Sequence, residues 1–157
     1  MELLQALHDA GFAAALRRAN LFYPLLNAFH ILSIGIIVGA IGTLDLRLLG
    51  AFRTFSLSQL APPLSRMAAI GVGLALASGF FLFSVQPKAY AANQAFLMKV
   101  GLAVCGIANA LILHKTSAWR QALADGPVTV SAKAQAALSL TIWTAAVISG
   151  RWIAFVD

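Results

Sequence analysis

Residues 19–50, ANLFYPLLNAFHILSIGIIVGAIGTLDLRLLG, constrain this chain more than any other stretch. They carry no charged side chain before Asp45 and only one histidine, His30. An apolar helix needs about 20 residues to cross the hydrocarbon core of a bilayer, so the run reads as a membrane-spanning helix. Asn20, Tyr23, Asn27, His30 and Ser33 or Ile34 recur every three or four residues. A helix of about 3.6 residues per turn gathers them onto one face. Lipid makes such a face costly, which predicts that it looks inward at other helices. Gly35, Gly39 and Thr43 form a row of small residues on a different side, the kind of groove that admits another helix closely.

Composition extends this reading to the whole chain. Hydrophobic residues make up 61% and charged residues 10%, with a mean hydropathy of +0.86; soluble domains average about 25% charged. The chain is an integral membrane protein by this measure, and its 157 residues leave room for four crossings with short connections. The expected fold is all-α, a single four-helix membrane bundle. A formal charge of +6 would suggest nucleic acid in a soluble chain. Here most of the Lys and Arg fall between apolar runs, where membrane topology accounts for them, and no nucleic-acid partner is expected. The single cysteine, Cys105, lies inside an apolar run and is expected to be a buried, inert thiol without a disulfide partner in the chain. The first twenty residues lack the pattern of a removable signal peptide.

In order, residues 1–18 read as a short helix at the membrane surface, with Leu3, Leu7, Ala10 and Ala14 on one side. The spans follow at about 21–48, 67–85, 93–114 and 134–155. A loop containing Pro62 and Pro63 joins the first two, and Gly71, Ala75 and Gly79 give the second a small-residue face. Pro87 and Lys88 make the next turn. A loop holding Lys115, Arg120, Asp125, Gly126, Pro127 and Lys133 leads to the fourth span, where Thr141, Thr144 and Arg151 share a face. Arg47, Arg53, Arg66, Lys115, Arg120 and Lys133 outnumber Arg17, Arg18 and Lys88 on the opposite side. The excess marks the cytoplasmic loops, so both termini are expected on the periplasmic side of a bacterial inner membrane.

On that topology His30 lies about 12 Å below the outer boundary, and Lys99 and Arg151 lie roughly 6 to 9 Å deep. No acid is placed at that depth, since Glu2, Asp9 and Asp157 sit at the outer surface and Asp45 and Asp125 at the inner side. Two readings of this layer stand. In one it binds something anionic or polar from outside the chain: haem propionates, a quinone head group or an anionic substrate. In the other, Lys99 and Arg151 extend to the interface by snorkelling. His30 likewise reads as a ligand to haem iron or copper, or as a structural contact to Asn27, Asn109 or Thr144. His114 is about 20 Å deeper and does not share a haem with it. Asp45 is placed to pair with Arg53, Lys115 or His114 and fasten the inner ends. Metalloprotease, CxxC and phosphate-loop motifs are absent from the sequence.

The stretches FHILSIGIIVGAIGTLDLRLLG, SRMAAIGVGLALASGFFLF, NQAFLMKVGLAVCGIANALILHK and LSLTIWTAAVISGRWIAF together resemble a family of small bacterial four-helix membrane proteins. His30, Ser65-Arg66 and Lys99 carry a more distant similarity to CopD-type copper-resistance proteins and HemJ-type protoporphyrinogen oxidases. That similarity implies haem or porphyrin chemistry, or copper handling, centred on His30. The leading expectation is a b-type haem or porphyrin-binding protein in a redox pathway, an electron-transfer role with a quinone or another membrane subunit as partner. His30 is then the metal ligand, Lys99 and Arg151 meet the propionates, and Tyr23, Asn27, Asn109 and Thr144 line the site. The alternatives are a non-enzymatic membrane subunit or small-molecule carrier, with the glycine rows serving homo-oligomer or partner contacts, and a copper-handling protein. Copper ranks last because Met1, Met67, Met98 and Cys105 are the only soft ligands.

Overall fold

A computed structural model of the chain describes residues 2–18, 21–124 and 126–155. Asn20, Asp125 and Asp157, which figure in the sequence reading, lie outside the described residues. The described residues form helices and no strand: α1 (Glu2–Asp9), α2 (Gly11–Arg18), α3 (Phe22–Leu49), α4 (Leu57–Val85), α5 (Pro87–Ala92), α6 (Gln94–Lys115), α7 (Ser117–Leu123) and α8 (Val130–Trp152). Helices α3, α4 and α6 are long and apolar enough to cross a membrane. In a bilayer only a helix or a closed barrel satisfies every backbone polar group internally, so an apolar chain without strands has this one solution. Helix α8 is long too, but it is less apolar and carries Lys133 and Arg151.

Local chemistry sets the helix ends. Gly50 closes α3 in the left-handed region at φ 111°, its N–H bonding the carbonyls of Leu46 and Arg47. Only glycine enters that region without steric cost. Asn93, Thr116 and Thr129 each accept a backbone N–H with their side chains and so start α6, α7 and α8.

Several boundaries differ from the sequence reading. Residues 2–18 form two helices that break at Ala10, ahead of Gly11. The stretch read as a loop around Pro62 and Pro63 is helical, and α4 begins ten residues earlier than residue 67. Two backbone N–H donors are missing there, a cost met by burying Leu57 and Ala61 against Leu48, Leu113 and Trp119. The turns after α4 and α6 contain α5 and α7.

Helix α8 packs against both α3 and α6, and α4 packs along α3. The four long helices therefore stand in the order α4, α3, α8, α6. No Cα of α4 comes within 8 Å of one of α6, nor one of α3 within that distance of α6. Side chains bridge α4 and α6 near both ends: Phe83 stacks on Phe96 at 5.6 Å, and the Ser65 hydroxyl meets His114 Nε2 at 3.3 Å. Helices α1 and α2 lie against α4 and α5, with Phe12 stacked on Phe80.

Burial is concentrated at the end formed by the C-terminus of α3 and the N-terminus of α4. Leu44, Leu48, Leu57, Leu113, Trp119 and Ala136 belong to one apolar cluster there. Along α3 and α4 the close contact uses the glycines of α4. A Cβ on Gly71 would lie 2.9 Å from Ile37 Cγ1 and 3.2 Å from the Ile37 backbone nitrogen. Gly35 and Gly39 have nothing within 4 Å of their Cβ positions, so the small-residue row of α3 takes no part in this packing. They line instead an open groove of about 630 Å³ with Ile31, Leu32, Leu64 and Met67. Cys105, expected to be buried, is exposed on α6, because the buried side of that helix is set by Gly106, Asn109 and Leu113.

Candidate functional site

At the opposite end, three long helices place polar side chains against one another. His30 of α3 is half-buried. Its Nδ1 lies 2.9 Å from Ser78 Oγ of α4, and its Nε2 lies 3.3 Å from Lys99 Nζ of α6. Ser78 Oγ in turn donates to the Leu74 carbonyl at 2.7 Å. With Lys99 as an ammonium, which has no acceptor, Nε2 must accept. The imidazole is then neutral with its proton on Nδ1, donated to Ser78. One directed chain results, from Lys99 through His30 and Ser78 to Leu74.

Small residues make room for this chain. A Cβ on Gly79 would lie 3.2 Å from His30 Cε1, and one on Gly150 of α8 would lie 3.3 Å from Lys99 Cδ. All four long helices thus converge on the His30–Lys99 pair. Lys99 crosses from α6 to α3, whose backbones do not meet, so the pair occupies the wide side of the bundle between α4 and α6. Among the described residues no carboxylate contacts Lys99; Glu2, Asp9 and Asp45 are elsewhere.

An aromatic group stands one turn above. Phe83 follows Gly79 by one turn, Phe96 precedes Lys99 by one, and both rings contact Tyr90 of α5, at 6.3 and 5.3 Å. The Tyr90 hydroxyl pairs with that of Tyr23, which lies two turns before His30 on α3. Burial pushes Tyr90 up to about 12, and the Tyr23 hydroxyl beside it adds to the shift. Asn93 ties the start of α6 to the end of α8 through a bond from its Nδ2 to the Ile153 carbonyl at 3.2 Å.

Of the residues singled out in the sequence, His30 and Lys99 come together and Tyr23 stands above them. The others do not join. Asn27 and Thr144 are exposed. Asn109 is buried about 15 Å further along α6 than Lys99, where its Nδ2 donates to the Gln135 carbonyl. Arg151 turns outward, its guanidinium 4.8 Å over the Phe155 ring, as snorkelling would have it. Asp45 does not pair with a cation; the Ser139 hydroxyl is its hydrogen-bond partner. His114 bonds Ala110 and Ser65 and packs on Trp119. Sequence reasoning missed Ser78, Gly150 and Tyr90. Ser78 left a signal, as a polar residue directly beside the Gly71, Ala75 and Gly79 row.

A metal ion would need a free imidazole nitrogen. In this arrangement Lys99 stands at Nε2 and Ser78 at Nδ1. Among the described residues no group of three or more His, Cys, Asp or Glu side chains gathers for a metal. Compared with family models, with curated proteins and with solved structures, the chain matches none.

Proposed function

We propose that the protein is a membrane carrier or subunit that holds the anionic head of an amphiphilic molecule at Lys99, with His30 and Ser78 setting the lysine in place. The observation that carries this reading is Lys99 Nζ, 3.3 Å from His30 Nε2 and without a carboxylate partner among the described residues; as an ammonium it holds a positive charge that nothing beside it neutralises. A charge inside a bilayer is retained where it meets a partner or a cavity. A carboxylate or phosphate would exchange the 3.3 Å contact with the uncharged Nε2 for an ion pair, which supplies the opposite charge the imidazole lacks. The spacing of α4 and α6 lets the apolar tail remain in lipid while the head reaches the pair.

On this reading α8 is the fourth crossing, with Lys133 and Arg151 snorkelling to the two interfaces, and α1 with α2 lies along the outer surface of a bacterial plasma membrane. Haem b is the more specific form that the sequence suggests. It requires Nε2 to leave Lys99 for iron, and the freed lysine then to meet a propionate. Copper asks for the same release and adds no sulfur ligand near His30.

A fluorescent fatty acid titrated into the purified protein in nanodiscs tests the proposal. Lys99→Met keeps the length of the side chain and is expected to weaken binding about tenfold or more, or about 1.4 kcal/mol, while Arg151→Gln leaves it within about twofold. Equal binding by wild type and Lys99→Met would defeat this reading. A haem spectrum in the preparation, lost with His30→Ala, would replace it with the haem reading.

A further inference from the structure

The other half of the bundle holds a second polar group that the Lys99 reading does not use. Asp45 lies on α3 one turn from its C-terminus and is 4% exposed. The Ser139 hydroxyl of α8 bonds its carboxyl group. Its Oδ2 is fully buried and meets no donor among the described residues. One turn along the same face of α8, Trp143 is 8% exposed and its indole N–H, packed over Gly106, is also without an acceptor. The orphaned acceptor lies at the contact of α3 with α8 and the orphaned donor at the contact of α8 with α6.

The cations nearest in the sequence do not neutralise Asp45. Arg47 donates to the Phe55 carbonyl and Arg53 to that of Gly50. His114 bonds Ser65 and Ala110. Arg66 of α4, Lys115 at the end of α6 and Lys133 of α8 are exposed. A carboxylate removed from water without a counter-charge is among the costliest states a protein interior can hold. It persists only if a positive charge reaches it.

We propose that Asp45 is the binding site of a small monovalent cation, with Oδ2 and the Ser139 oxygen facing it. The cation is either a proton or Na⁺. Both suit hard oxygen ligands and a site too confined for an organic cation. The site couples the α3–α8 contact to cation occupancy, independently of Lys99.

Infrared difference spectra of the full chain in phosphatidylcholine vesicles test it, with wild type and Asp45→Asn compared across a pH series, in Na⁺ or in N-methylglucamine. A protonated-carboxyl band present in wild type, lost in Asp45→Asn and indifferent to Na⁺ would identify the proton. Carboxylate bands that shift when N-methylglucamine replaces Na⁺, and only in wild type, would identify Na⁺. An ionised-carboxylate signature of Asp45 that neither pH nor Na⁺ moves would overturn the proposal. Should Asp45→Asn fail to fold, Ser139→Ala, which keeps the carboxyl group and removes its hydroxyl partner, must shift the band that responds to pH or Na⁺; a band it leaves unmoved would overturn the proposal.

Discussion

His30 shows how one side chain is fixed by what its neighbours can donate. As an ammonium Lys99 can only give a proton, and Ser78 spends its own on Leu74, so with Lys99 charged the imidazole has a single arrangement that satisfies all three. Ser78→Ala removes one partner of His30 and leaves it the Ala75 backbone carbonyl. A loss of about 0.5–1.5 kcal/mol is expected, seen as a lower midpoint in thermal unfolding of the detergent-solubilised protein. An unchanged midpoint would mean that the Ser78 bond contributes nothing. Glycines give a second contrast at this scale. Gly71→Ala drives a methyl into the Ile37 backbone and is expected to cost about 1–3 kcal/mol in the same assay, while Gly35→Ala meets nothing and should leave the midpoint within about 0.5 kcal/mol.

Among the helices, the membrane-crossing ones were legible because lipid imposes one strong demand, an unbroken apolar stretch, and α3, α4 and α6 each meet it. Their ends were less so. Pro62 and Pro63 suggest a loop by their chemistry alone, and only the burial of Leu57 and Ala61 against distant residues makes that segment helical. No local signal reports such burial. The same limit applies to the candidate site. The period of three and four residues found His30, and depth arithmetic found Lys99, yet which small-residue row faces a neighbour depends on the rotation of each helix. Gly35, Gly39 and Gly71 look alike in sequence and differ wholly in contact. Asn27, Thr144 and Arg151, named as lining the site, lie exposed for that reason, and for Arg151 this agrees with the snorkelling alternative.

For the molecule as a whole, the two ends are built differently. The end near Asp45 is closed by an apolar cluster, the other by hydrogen bonds and aromatic rings around Tyr90. Tyr90 gives that second end a pH signature. Its hydroxyl is raised in the folded state from 10.0 to about 12, so its contribution to stability is constant below pH 10.0 and is lost from there towards pH 12, as the unfolded chain gives up its proton first. In Tyr90→Phe the alkaline loss should shrink, measured as the unfolding midpoint against pH; an identical profile would remove Tyr90 as its cause. The hydrogen-bond chain at this end also has a polarity. It finishes on the Leu74 carbonyl, a group that can accept but never donate, so traffic cannot continue through α4. Of its two ends, only Lys99 carries protons to exchange. The chain is a cul-de-sac for hydrogen bonds, open at the lysine and closed at the carbonyl.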